Sequence, residues 1–232
     1  MMSKKSFLAI LVALFLPLTC YFLLKHFSAE AVIMPKRYFY DSVRTVTEYG
    51  KTTEDTVWHK VRNFTLTNQL GKQVSLNDLK DKIIIADFFF TSCPSICPSL
   101  TRNMKRLQDA FNKTDTVVRF ISFSVDPVRD TPEKLKKYSD KYGINPDTWW
   151  LLTGDKDEIY DIAKNEFKAN IADTNVDTNF IHTEHFFMLD KQRVVRGWYK
   201  GLDSIHLNKL ADDVVLLMLE KDKKKKKKLF GD

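Results

Sequence analysis

Glycine and proline are both sparse in this chain, with seven of each among 232 residues. That excludes collagen-like and Pro/Gly-rich low-complexity architectures. Three cysteines are too few for a disulfide scaffold. Only one close pair exists, so a four-thiolate zinc or iron–sulfur site cannot be built. No internal repeat is visible, which excludes solenoids and propellers. The body of the chain also lacks net charge, although the formal total is +7. Residues 1–5 carry two positive charges, 221–228 carry six and 229–232 carry one negative, which leaves 6–220 neutral. With no basic body and no nucleic-acid motif, nucleic acid is excluded as a partner. The Lys223–Lys228 run reads as a solvated tail.

The N-terminus lacks two further things, a charge between Phe7 and Leu24 and an Ala-x-Ala cleavage site after it. A secretory apolar core runs about 7–15 residues, whereas a bilayer span needs about 20 and at least about 17. The eighteen residues "FLAILVALFLPLTCYFLL" are therefore expected to form an uncleaved signal anchor over residues 1–27. Lys4 and Lys5 precede it, so the positive-inside rule exports everything that follows. Cys20 falls within the span, in "PLTC", a poor match to a lipidation box. A span that begins at residue 7 leaves no room for a mitochondrial transit peptide, so the expected location is a bacterial inner membrane, crossed once, with the C-terminal domain facing the periplasm or the outside.

Residues 28–57 are polar and mixed without a sustained period and read as a linker; residues 58–220 read as the folded domain and 221–232 as a disordered tail. Alternation around Gly71 predicts a hairpin from 61–66 and 73–76. The apolar run 83–90 predicts a strand buried on both faces. Leu100, Met104, Leu107 and Phe111 stand at helical spacing, which predicts a helix over 97–112 with Pro98 in its first turn. Strands are expected at 117–125 and 149–152, and helices at 132–142 and 155–167. A hairpin of 185–190 and 194–199, turning at Lys191–Gln192, and a closing helix over 205–220 complete the chain. Strands alternating with helices imply an α/β fold, a central mixed sheet flanked by helices, preceded by the hairpin and the anchor.

The chemistry concentrates in "FFFTSCPSICP", residues 88–98. A disulfide across so short a loop would stabilise little, because the chain-entropy effect falls with loop length. Cys93 lies in the loop after the central strand and Cys97 in the first helical turn. Sites in α/β sheets gather at that carboxyl end, and a helix N-terminus favours thiolate. Two thiolates there either attack a disulfide or hold a soft metal, and soft thiolates select Cu(I), Zn or Fe–S. A metal needs a further ligand. Of five histidines, His26, His59 and His206 read as surface or packing residues, whereas His182 and His185 enter the late strand beside the expected position of the cysteine helix. Asp87, inside the apolar strand, is costly to bury unless paired. Asp126-Pro127 and Asp130-Thr131-Pro132 read as turn chemistry, with Asp130 or Thr131 capping the helix that follows.

Three patches together resemble the Sco/SenC family of membrane-anchored, thioredoxin-like copper proteins, over roughly 61–219: "FFFTSCPSICPSLTRNM", "SFSVDPVRDTPEKLKKY" and "HTEHFFMLD". The resemblance implies copper, as Cu(I) or Cu(II), held by Cys93, Cys97 and His182. His182 is preferred to His185 because Thr183 follows it and the register to Met188 and Asp190 is kept. It also implies delivery to the dinuclear centre on the copper-bearing subunit of cytochrome c oxidase, loading by a copper donor protein, and attachment to the membrane through the N-terminal helix. This is a carrier's role rather than an enzyme's. The alternative is a thioredoxin-like thiol-disulfide reductase acting on exported cysteine proteins. Against it stand the three residues between the cysteines, where the redox motif has two, and the absence of proline from "IHTEH". A plain scaffolding domain with incidental thiols is disfavoured by the Cys-Cys-His set.

Overall fold

The computed structural model describes residues 4–28, 33–48, 51–112, 116–169 and 184–220. Residues 1–34 and 35–232 form separate compact units. The first contains one helix, α1 (Lys4–Ser28), which carries Pro17 in its interior. Among the described residues no helix is long and apolar enough to cross a membrane, and the side chains of residues 6–12, part of the apolar run, lie outside the described set.

The second unit is built on a seven-stranded mixed sheet ordered β4-β3-β7-β6-β5-β8-β9. Its strands are β3 (Thr65–Asn68), β4 (Gln73–Ser75), β5 (Ile83–Phe89), β6 (Val118–Ser124), β7 (Trp149–Thr153), β8 (His185–Leu189) and β9 (Val195–Lys200). The parallel trio β5, β6 and β7 forms the middle, and antiparallel strands flank it on both sides. Helices α2 (Cys97–Ala110), α3 (Pro132–Tyr142), α4 (Lys156–Asp161) and α5 (Ser204–Leu219) complete the α/β architecture. All seven residues of β5 are buried, as its composition, apolar except for Asp87, favours. Ile84, Ala86 and Phe88 face a cluster that includes Phe64, Phe123, Phe167 and Phe187. Alternation sends Ile83, Ile85, Asp87 and Phe89 to the opposite face, where Phe89 packs on Tyr138 of α3 with ring centroids 5.5 Å apart.

Three segments depart from expectation. Within 28–57, read as a linker, β1 (Tyr40–Glu48) pairs antiparallel with β2 (Lys51–Trp58) in a separate two-stranded sheet. Both strands are rich in Val and Thr, which favour extended backbone, but most of their described side chains are exposed, so no apolar alternation marks them. The first hairpin is shorter than predicted. Val61 joins the fold through a backbone bond to Arg193 rather than a ladder, and Leu76 opens a 3₁₀ turn, Leu76–Leu79, capped by Ser75. Finally, α4 passes into a π-turn over Ile162–Glu166, where the Phe167 N–H reaches the Ile162 carbonyl. The wider turn lets Ile162, Ala163 and Phe167 all bury.

Candidate metal and thiol site

The site grows from the carboxyl end of β5. Val125 N–H bonds to the Phe89 carbonyl at 2.9 Å and holds the ends of β5 and β6 together. The chain then turns, with the Cys93 N–H on the Phe90 carbonyl at 3.2 Å, and α2 begins at Cys97. Ile96, at the cap position of α2, has no side-chain oxygen to offer, so the first-turn N–H groups need another acceptor. Hydrogen bonding from the Cys97 and Ser95 backbone is among the effects that lower the Cys93 thiol at this helix start. The Ser95 hydroxyl also lies 3.8 Å from that sulfur.

Both cysteines are free and buried. Burial pushes the Cys93 thiol up, but hydrogen bonds from the Cys97 thiol, the Cys97 and Ser95 N–H groups and the Ser95 hydroxyl outweigh it, and the net shift is downward. Burial pushes the Cys97 thiol up too, and donation to Cys93 adds to that, as do the charges of Cys93 and Asp87. The loop therefore holds one acidic and one reluctant thiol. Thr101 donates to the Cys97 carbonyl at 2.9 Å and shares a 2.7 Å bond with the Tyr138 hydroxyl, which ties the first turns of α2 to α3.

Asp87 lies in β5 directly across from Ser122 of β6. Ser122 Oγ accepts from Trp149 Nε1 at 2.9 Å. Asp87 Oδ1 is buried with no hydrogen-bond partner. Burial raises its pKa to about 7, partly countered by Ser122. The carboxyl is neutral through the mildly acidic range, which explains how an apolar strand tolerates it.

Asp130, expected as a turn or cap residue, closes the turn through its N–H on the Asp126 carbonyl but does not cap α3. Thr131 is the cap, accepting from the Lys134 N–H. Asp130 is instead fully buried and accepts from the Thr91 N–H, the Thr91 hydroxyl and the Ser124 hydroxyl. Sequence reading missed this. The one available signal is that Asp130 and Thr131 both suit a position that needs only one of them.

The antiparallel pairing of β8 with β5, Ala86 opposite Phe187, brings the start of β8 to the end of β5 from which the cysteine loop springs. His185 is the first residue of β8, half-buried, with its pKa lowered by burial. His182 lies outside the described residues, as does the Lys-rich end at 221–232. The structure thus brings Cys93 and Cys97 together, and among the described residues no cluster of three or more His, Cys, Asp or Glu forms a metal cage. His59, read as a surface or packing residue, bonds Asp41 at 2.8 Å and lies 3.3 Å from Glu166, away from the cysteines.

This strand–loop–helix with paired thiols has close counterparts. Residues 52–217 match the SCO1/SenC family model. The chain belongs to the SCO1/SenC family. It is 37% identical to the SCO1 protein homolog of Bacillus subtilis over 166 residues, which covers 71% of this chain and 86% of that protein. A solved Sco structure, BsSco, described as one of the Sco family of cytochrome c oxidase assembly proteins with a disulfide switch, superposes with a TM-score of 0.62 at 36% identity, covering 71% of this chain and 96% of the other. Bradyrhizobium japonicum ScoI, solved with copper bound, superposes with a TM-score of 0.54 at 26% identity, covering 67% and 98%. The mixed sheet with flanking helices is thus the thioredoxin-like fold of the Sco proteins.

Proposed function

We propose that this SCO1/SenC protein carries one copper ion between the thiolates of Cys93 and Cys97 and the imidazole of His182, and delivers it to the dinuclear copper centre of cytochrome c oxidase. The observation that carries the reading is the pair of free, buried thiols at the mouth of the β5–α2 loop, one of them already acidic. Soft thiolates suit Cu(I), and an added imidazole accommodates Cu(II). Copper is the cargo here. Taking it up releases the thiol protons of the pair, so loading is coupled to pH and to the redox state of the cysteines. Copper-bound relatives support the reading, as does the topology, which starts β8 where the cysteine loop begins. The cell biology follows the same reading. The N-terminal helix holds the protein at a bacterial inner membrane, the domain faces outward, a separate protein donates the copper, and the copper-bearing oxidase subunit receives it.

Elemental analysis after Cu(I) loading of the reduced protein tests this. One copper per chain is expected, with Cys93→Ala, Cys97→Ala and His182→Ala each sharply weakening retention. Loss of copper in His185→Ala but not in His182→Ala would reassign the third ligand. The second reading is a thiol-disulfide reductase for exported cysteine proteins, and the acidic Cys93 favours it. It prevails if the reduced protein retains no copper yet turns over disulfides rapidly.

A further inference from the structure

We propose that Asp130 and Lys134 are positioning residues that clasp Thr91 and Ser92 and thereby set where the sulfur of Cys93 sits. The inference deepens the reading above and rests on Cys93 and Cys97 being the working pair. Asp130 is 0% exposed and stands between the carboxyl ends of β5 and β6 and the start of α3. One oxygen accepts the Thr91 N–H at 2.9 Å and the Ser124 hydroxyl at 2.7 Å. The other accepts the Thr91 hydroxyl and faces Lys134 Nζ at 3.4 Å. Lys134 also donates to the Ser92 hydroxyl at 3.0 Å. Thr91 is therefore gripped twice and Ser92 once, and the Cys93 N–H is fixed to Phe90.

The clasp is itself braced. The N–H groups of Arg129 and Asp130 both bond to the Asp126 carbonyl, and the Asp126 N–H bonds to Ser124 Oγ. Thr131 already caps α3, so helix capping does not account for Asp130. Four donors converge on one carboxylate. An amide in its place has a single acceptor oxygen and leaves a donor without a partner. What the clasp fixes is the approach to Cys93, whose N–H is held on the Phe90 carbonyl and whose sulfur lies 3.8 Å from the Ser95 hydroxyl. A displacement of about half an ångström suffices to loosen such contacts.

The test compares the full-length reduced, copper-free protein with Asp130→Asn, Thr91→Val and Thr91→Ser. The measurements are the rate of Cys93 alkylation by iodoacetamide at pH 7 and the dithiol–disulfide equilibrium of the pair in glutathione buffers. Asp130→Asn is expected to slow alkylation at pH 7 by about tenfold. It should also shift the glutathione equilibrium about tenfold, which corresponds to about 30 mV. Thr91→Val, which keeps the backbone contact, is expected to move both in the same direction by about threefold. Thr91→Ser, which restores the hydroxyl, should behave as wild type. Variants that lower the unfolding midpoint but leave both thiol measurements at wild-type values overturn the proposal. Should Asp130→Asn fail to fold, the Thr91 pair decides by the same criteria. Copper retention by the wild type is measured in parallel, and its absence would remove the carrier reading without touching the thiol results.

Discussion

Cys93, in the loop after β5, and Cys97, the first residue of α2, are both free and buried, and hydrogen bonding from Cys97 is among the causes that lower the Cys93 thiol. The same contact raises Cys97, which gives up its proton less readily as donor and as neighbour of a developing thiolate. Two chemically identical side chains are thus separated in role by which one sits at the open end of a helix.

An electrophile supplied at neutral pH should therefore modify Cys93 well ahead of Cys97. Mass mapping of iodoacetamide adducts between about pH 5 and pH 9 checks the order. Cys97→Ala removes the thiol donor but keeps the backbone one, so it should slow alkylation of Cys93 by about three- to tenfold at pH 7. Preferential labelling of Cys97 would contradict the geometry.

Asp87 gives the metal-free protein a pH-dependent stability. Its carboxyl is raised from the ordinary 3.8 to about 7, mainly by burial. Between those values the folded state binds the proton more tightly than the unfolded chain. Stability from this group is therefore full below about pH 4 and falls as pH rises through about 7, by up to about 4 kcal/mol. Urea denaturation across that range should show the decline, and Asp87→Asn should flatten it. A variant whose stability falls just as steeply would place the titration elsewhere.

Arg196 is 3% exposed and joins three segments. Its guanidinium donates to Asp190 at 2.9 Å, to Glu220 at 2.8 Å and to the Pro35 carbonyl at 2.6 and 3.0 Å. Arg196→Met leaves Asp190 buried without its cation, and breaking such a pair costs about 3–5 kcal/mol. Urea midpoints measure it; a cost below about 1 kcal/mol would mean that water replaces the guanidinium.

Gly201 is required by packing. A Cβ there would stand 2.5 Å from Leu100 Cδ2 and 2.8 Å from Phe186 Cζ. Its carbonyl accepts from Asn103 of α2 at 2.7 Å, and its N–H bonds to Glu184. Gly201→Ala should cost about 1–3 kcal/mol, seen as a fall in melting temperature of about 3–10 °C. The affected contacts lie one turn beyond Cys97, so the variant should also disturb alkylation of the pair more than a surface substitution does.

Much of the sheet was legible in the residues. The run from Ile83, apolar except for Asp87, announced a strand buried on both faces, and Leu100, Met104, Leu107 and Phe111 marked the inner face of α2, where all four are buried. The β1–β2 hairpin was not legible, because strands exposed on both faces lack the alternation that betrays a half-buried one. The π-turn after α4 escaped for a related reason, since helical periodicity in a window of this length does not separate a spacing of four from one of five.

The sequence by itself determined where the cysteines sit, at a strand end and a helix start, because hydrophobic period and proline position are local properties. It also determined the family, through three motifs in order. What only the tertiary structure decided is which thiol is acidic, that Asp87 has an oxygen without a partner inside the sheet, and that Asp130 grips Thr91 from 39 residues away. Acidity and hydrogen bonding depend on which groups converge in space and how much water they lose. Both follow from the pairing of β5 with β6 and the packing of α3 beside them, which no local pattern of residues records.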